Sequence, residues 1–228
     1  MKKIILFTAI GILSFSSCST LQNLITEPTT LETIGALKEV LNSSSFKAIR
    51  TLKRMQKDGV IGALPKEVGS VLNAMKGLGL GGEVEKVTNS ITKASGVVAE
   101  ESALIIGDAI KEVKFGDAVA VVIGGEDAAT EVLRNAMYGA VKKRYAQRLD
   151  DELGKTEAKE YWPLAAGAYN MFSKEKIDDT LSDFLAERAV DAVFLAMGKE
   201  EKKIRKDPAA LGKKLVTKVF DYYQNRKK

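Results

Sequence analysis

From Leu31 to Tyr223 the apolar residues recur in steps of three and four, the spacing that lines one face of a helix. Leu31, Ile34, Leu37 and Leu41 open the series. Val84, Val87, Ile91, Ala94 and Val98 step 3, 4, 3, 4, close to a coiled-coil seam. Val132, Leu133, Met137, Val141, Tyr145 and Leu149 make a long face, and Leu181, Phe184, Leu185, Val193 and Ala196 make another. A chain patterned this way has to bury helix against helix.

Ala118–Ile123 (AVAVVI) is the one run that also fits a buried strand. A lone strand leaves its backbone hydrogen bonds unmade, and no second run offers itself as a partner. A short buried helix is therefore expected, with Asp117 near its start and Gly124 at its end. Asn42-Ser43-Ser44-Ser45 is expected to stop the first helix and cap a second that buries Phe46, Ile49 and Leu52. Asp58-Gly59 should end that one and Pro65 open the next. Gly96 with Glu100-Glu101 suggests a further break. Asp127 is placed as the cap of the helix to about Leu153. Pro163 should open a helix through Phe172, Thr180 and Asp183 should cap the next, and Gly198 should close it. Asp207-Pro208 is expected to start the last. The expectation is one all-α, bundle-like domain of about eight or nine helices.

Composition narrows the chemistry. The 228 residues include no histidine and one cysteine. That removes Ser-His-Asp and Cys-His catalysis, ordinary zinc or haem ligation, and internal disulfides. Basic residues number 35 against 30 acidic ones, two of the former at the N-terminus, so no nucleic-acid stripe is expected.

Lys2 and Lys3 precede an apolar run from Ile4 to Leu13, and Ser14-Phe15-Ser16-Ser17 leads into Cys18. About ten apolar residues are too few to span a bilayer, and the order is that of a secretory signal. The cysteine after two small residues resembles a lipobox, although Phe15 stands where an aliphatic residue is usual. The domains are then a lipoprotein signal over 1–17, lipidated Cys18 with its tether over 18–30, and a periplasmic all-α domain over 31–228. Ser19 resembles an outer-membrane sorting residue.

Candidate sites are few. Gly77-x-Gly79-x-x-Gly82 matches the dinucleotide fingerprint as a string, but that motif needs a strand before it. An interhelical turn is expected instead. The acid runs Glu100-Glu101, Asp150-Asp151-Glu152, Asp178-Asp179 and Glu200-Glu201 sit beside lysines or at helix ends, where solvated surface is the ordinary reading. The same holds for Lys142-Lys143-Arg144 with Arg148 and for Lys199–Lys206, with anionic head groups as the other reading. Tyr161-Trp162-Pro163 with Tyr169 gathers the only tryptophan and two of six tyrosines. These aromatics suit a binding surface or a core edge. Tyr161, Trp162 and Tyr169 are the candidate binding residues.

Three segments carry a resemblance: Gly124–Arg134, Tyr161–Asn170, and Leu181 through Gly198 to Ala210, with its Glu-Glu-Lys-Lys-Ile-Arg-Lys-Asp-Pro run. They are similar to the bacterial domain of unknown function family numbered 4197, over about Leu31 to Phe220. That resemblance implies a helical lipoprotein of Gram-negative bacteria and supplies no catalytic residues. The expected function is a non-enzymatic envelope lipoprotein, without cofactor or metal. It would bind an envelope protein or serve as a structural module, without nucleic acid. The alternatives are a carrier of a small apolar ligand and a carboxylate-based enzyme.

Overall fold

The computed structural model describes residues 26–57, 66–174, 176–177 and 180–225. The expected N-terminal signal, Cys18, Asp58-Gly59, Pro65 and Asp178-Asp179 lie outside them. The described residues form eight α-helices and one 3-10 turn, and no strand. The helices are α1 (Thr30–Lys57), α2 (Lys66–Gly77), α3 (Gly81–Glu112), α4 (Ala118–Ile123), α5 (Ala128–Leu153), α6 (Ala158–Phe172), α7 (Leu181–Lys206) and α8 (Lys214–Asn225).

The four long helices, α1, α3, α5 and α7, pack side by side in a ring. Cross-links show the directions. Lys38 of α1 donates to the carbonyl of Lys111 near the end of α3, at 2.7 Å. Arg148 of α5 binds Glu101 of α3, while Arg144 reaches Asp108. Neighbours in the ring therefore run antiparallel. Leu37, Leu41, Ile106, Ile110, Leu133, Leu149, Val190 and Phe194 fill the space between them. At one end α4 and α8 close against α1. At the other, α2 and α6 pack on each other and on α3.

Two expected breaks are absent. The first helix runs straight through Asn42–Ser45. Ser45 Oγ donates to the Asn42 carbonyl at 2.9 Å, so its hydroxyl is satisfied within the helix. Leu41, Ala48 and Ile49 keep one buried face continuous across the serines. Phe46 consequently points outward, 65% exposed, and is not core. Likewise α3 continues past Gly96 and Glu100-Glu101, because Ala94, Val98 and Ser102 stay on the buried seam.

Other ends shift for local reasons. Pro163 sits in the second turn of α6, not at its start. Gly198 lies inside α7, buried, where a Cβ would come within 3.3 Å of Asp127. It therefore marks a close approach of α7 to the start of α5 and not a helix end. Asp207-Pro208 begins the 3-10 turn Ala209–Leu211, with Asp207 accepting from the Ala210 amide, and α8 starts later, after Gly212 at φ +70°. The Ala118–Ile123 run is helical as expected, and Asp117 Oδ1 accepts from the Ala120 amide at 2.9 Å. Within the Gly77–Gly82 string, Leu78–Leu80 is the turn between α2 and α3, with Gly79 at φ +84°.

Candidate functional site

The most constrained polar cluster joins α4, α5 and α7. Glu201 is 0% exposed. Its Oε1 accepts from the Ala129 amide at 3.0 Å, and its Oε2 from the Thr130 amide at 2.7 Å and the Thr130 hydroxyl at 2.6 Å. A helix start has free N–H groups and a positive dipole end, so a carboxylate there satisfies both. Asp127 stands in the cap position of α5 but makes no capping bond. Glu201, brought in by α7, does that work instead.

Arg205, one turn on, is the complement. Its Nε donates to Glu201 Oε1 at 2.7 Å. Its Nη1 donates to the Val122 carbonyl at 2.8 Å and its Nη2 to that of Val121 at 3.0 Å, at the end of α4. The guanidinium lies 5.2 Å from the centre of the Phe220 ring. One buried ion pair thus closes the positive end of one helix and the carbonyl end of another. Within Lys199–Lys206 and Glu200-Glu201 these two residues depart from the solvated surface expected of them.

The other charged runs are surface pairs. Lys142 meets Glu187 at 2.6 Å, Lys159 meets Asp150 at 3.1 Å, Lys155 meets Glu152 at 2.9 Å and Lys203 meets Glu200 at 2.5 Å. The hydrogen bond and charge of Arg148 hold the Glu101 carboxyl below the usual range, and those of Lys155 do the same for Glu152. Burial pushes the Tyr145 hydroxyl up to about 12. Burial and the hydrogen bond to Asp191 do likewise for Tyr138. These are groups fixed in one protonation state near neutral pH, unlike tuned acids or bases. No group of His, Cys, Asp or Glu among the described residues is arranged to hold a metal.

The aromatic segment divides by face. Trp162 is 0% exposed, with its ring 5.8 Å from that of Phe184. Ala166 lies on the same buried side, while Tyr161 and Tyr169 are half-buried. The outer side shows Leu164 at 67% exposure, exposed Gly167, and Met171 at 77%. The three positions step by three and four residues, so they form one line on α6.

A second outward face lies on α1. Phe46, Lys47, Arg50 and Arg54 are exposed and Lys53 is half-buried. None of the four cations makes an ion pair or side-chain hydrogen bond among the described residues. No acidic residue occurs between Val40 and Lys57.

The model of the family described as Protein of unknown function (DUF4197) matches residues 27–221. The chain belongs to this family. No curated protein and no solved structure matches it. Near the start of the match Pro28 is buried, and Thr29 and Glu32 exchange backbone-to-side-chain bonds of 2.8 and 3.2 Å in a capping box. In this DUF4197 chain, Gly124–Arg134 and Gly198–Ala210 are far apart in sequence, and Glu201 joins them.

Expecting Phe46 in the core hides the α1 face. A signal for it was present: cations at 47, 50, 53 and 54 in a stretch without acids.

Proposed function

We propose that this DUF4197 protein is a non-catalytic binding module of the cell envelope, held to the membrane through acylated Cys18. The observation that carries the binding role is the outer line of α6. Leu164 and Met171 give up apolar surface to water there, with Gly167 leaving room for close approach. Large exposed apolar side chains in line are the usual mark of a protein contact. Trp162 and Ala166 anchor the helix behind that line. A carrier would place its aromatics at the mouth of an apolar pocket, whereas Trp162 is enclosed. The open depression beside the α4–α5 turn is lined by charged groups such as Glu126, Lys202 and Arg205. An enzyme built on carboxylates would need converging acids, and Glu101, Asp150, Glu152 and Glu201 are each bound to a cation.

The anchor is tested first. Cys18→Ala should leave the domain folded while releasing it from the membrane fraction or stalling its processing. Mass spectrometry that finds an unmodified Cys18 in the mature protein ends the anchor reading. The partner face is tested by a photo-crosslinking residue at position 164 in intact envelopes. It should give a discrete adduct that a probe at Leu104, exposed on α3, does not. Identical adduct patterns from both positions would remove α6 as the binding face.

A further inference from the structure

The outer face of the second half of α1 has the composition of a surface that meets lipid. Phe46, Arg50 and Arg54 follow at four-residue steps, with Lys47 and Lys53 beside them. The stripe is about 12 Å long at 1.5 Å per residue. Its reverse side, with Leu41, Ser44, Ser45, Ala48 and Ile49, is buried in the bundle, so the fold holds these cations outward. Elsewhere on the molecule, Lys142, Arg144, Arg148 and Lys159 each find an acid on another helix or across a turn. Here, among the described residues, Lys47, Arg50, Lys53 and Arg54 stand together without one. Their like charges repel, so an anionic surface laid against them is favoured. An exposed aromatic ring among lysines and arginines suits the boundary between head groups and acyl chains.

We propose that this face of α1 lies against the anionic head groups of the membrane that holds the N-terminus. The proposal rests on the lipid-anchor reading, and the geometry agrees with it. Phe46 is about 24 Å along the helix from Thr30. The eleven residues Ser19–Thr29 can extend about 35–40 Å. The tether is long enough for the domain to lie with α1 along the bilayer. A lipoprotein cysteine carries two or three acyl chains and anchors by itself, so the basic face sets how the domain lies on the membrane, not whether it is held.

The native chain has one thiol, Cys18. Purified from envelopes, the wild-type protein should take up no maleimide dye, and a Phe46→Cys chain should take up one. In vesicles of phosphatidylethanolamine and phosphatidylglycerol, a lipid-borne quencher should quench the dye at position 46. In phosphatidylcholine vesicles, or in molar salt, it should not. A dye at Leu164→Cys should stay unquenched in every case. Adding Lys47→Glu, Arg50→Glu and Arg54→Glu should cut the quenching at least about fivefold, with the helical circular dichroism unchanged. Equal quenching on both lipids, or none at position 46, overturns the proposal. So does an acidic protein that crosslinks to position 46 while the dye stays unquenched on anionic vesicles. Dye uptake by wild-type Cys18 defeats the anchor reading alone. The quenching is then read in a Cys18→Ser background, where its presence on anionic vesicles supports the lipid contact and its absence overturns it.

Discussion

Glu201→Ala should destabilise the domain by about 3–5 kcal/mol, the cost of leaving a buried charge without its partner. The loss goes beyond the ion pair. Removing the carboxylate strips the Ala129 and Thr130 amides and the Thr130 hydroxyl of their acceptor, and leaves Arg205 buried against Val121, Val122 and Phe220 with its charge uncompensated. Many buried ion pairs can be exchanged for apolar side chains of the same size at little cost. This one should not behave so. Its partners include four backbone groups at two helix ends, and Glu201→Met with Arg205→Met would leave three of them, the Ala129 and Thr130 amides and the Val122 carbonyl, unpaired. The double variant should therefore stay at least about 2 kcal/mol below wild type. Glu201→Gln keeps the shape and one acceptor and should fall between. The measurement is urea unfolding followed by circular dichroism: a lower midpoint at unchanged slope is the expected signature. A midpoint of Glu201→Ala within about 0.5 kcal/mol of wild type would show that the junction holds nothing together.

That junction was invisible in the sequence for a physical reason. Glu201 occurs in a run of alternating charges that, read along one helix, looks solvated. Burial is decided by what another helix brings to it. The close approach at Gly198 lets the start of α5 come down onto α7, and no local pattern reports an approach between residues seventy positions apart. Helix existence was readable because each long apolar face spans several turns, and Ala118–Ile123 resolved by asking where strand hydrogen bonds would go. Helix ends were less so. Serines and a glycine stop a helix when water competes for its backbone. In α1 and α3 the buried faces continue on both sides of the supposed break, and packing wins over weak local preference. Of the candidate residues, Tyr169 was expected on this helix and Tyr161 and Trp162 just before a start at Pro163, whereas all three lie on α6. Their division into an inner and an outer face depended on where α6 begins, and Pro163 in its second turn rotates that reading.

Trp162→Ala should cost about 3–5 kcal/mol, as expected for deleting the largest side chain that the bundle encloses completely. The indole lies against Phe184 near the start of α7, so its removal loosens the place where α6 is pinned to the four-helix ring. Trp162→Phe keeps an aromatic ring there and should cost less than half as much, about 1–2 kcal/mol. The outer line of α6 should respond in the opposite way. Leu164→Ser with Met171→Ser should move stability by no more than about 0.5 kcal/mol, because both side chains already face water. The same double variant should abolish the crosslinked adduct formed from a probe at Gly167, which sits between them. Melting curves and adduct yield together separate the two faces of one helix. A Trp162→Ala chain that melts within a few degrees of wild type would mean the indole is not a packing residue. A Leu164→Ser, Met171→Ser chain with undiminished adduct would move the partner surface away from α6.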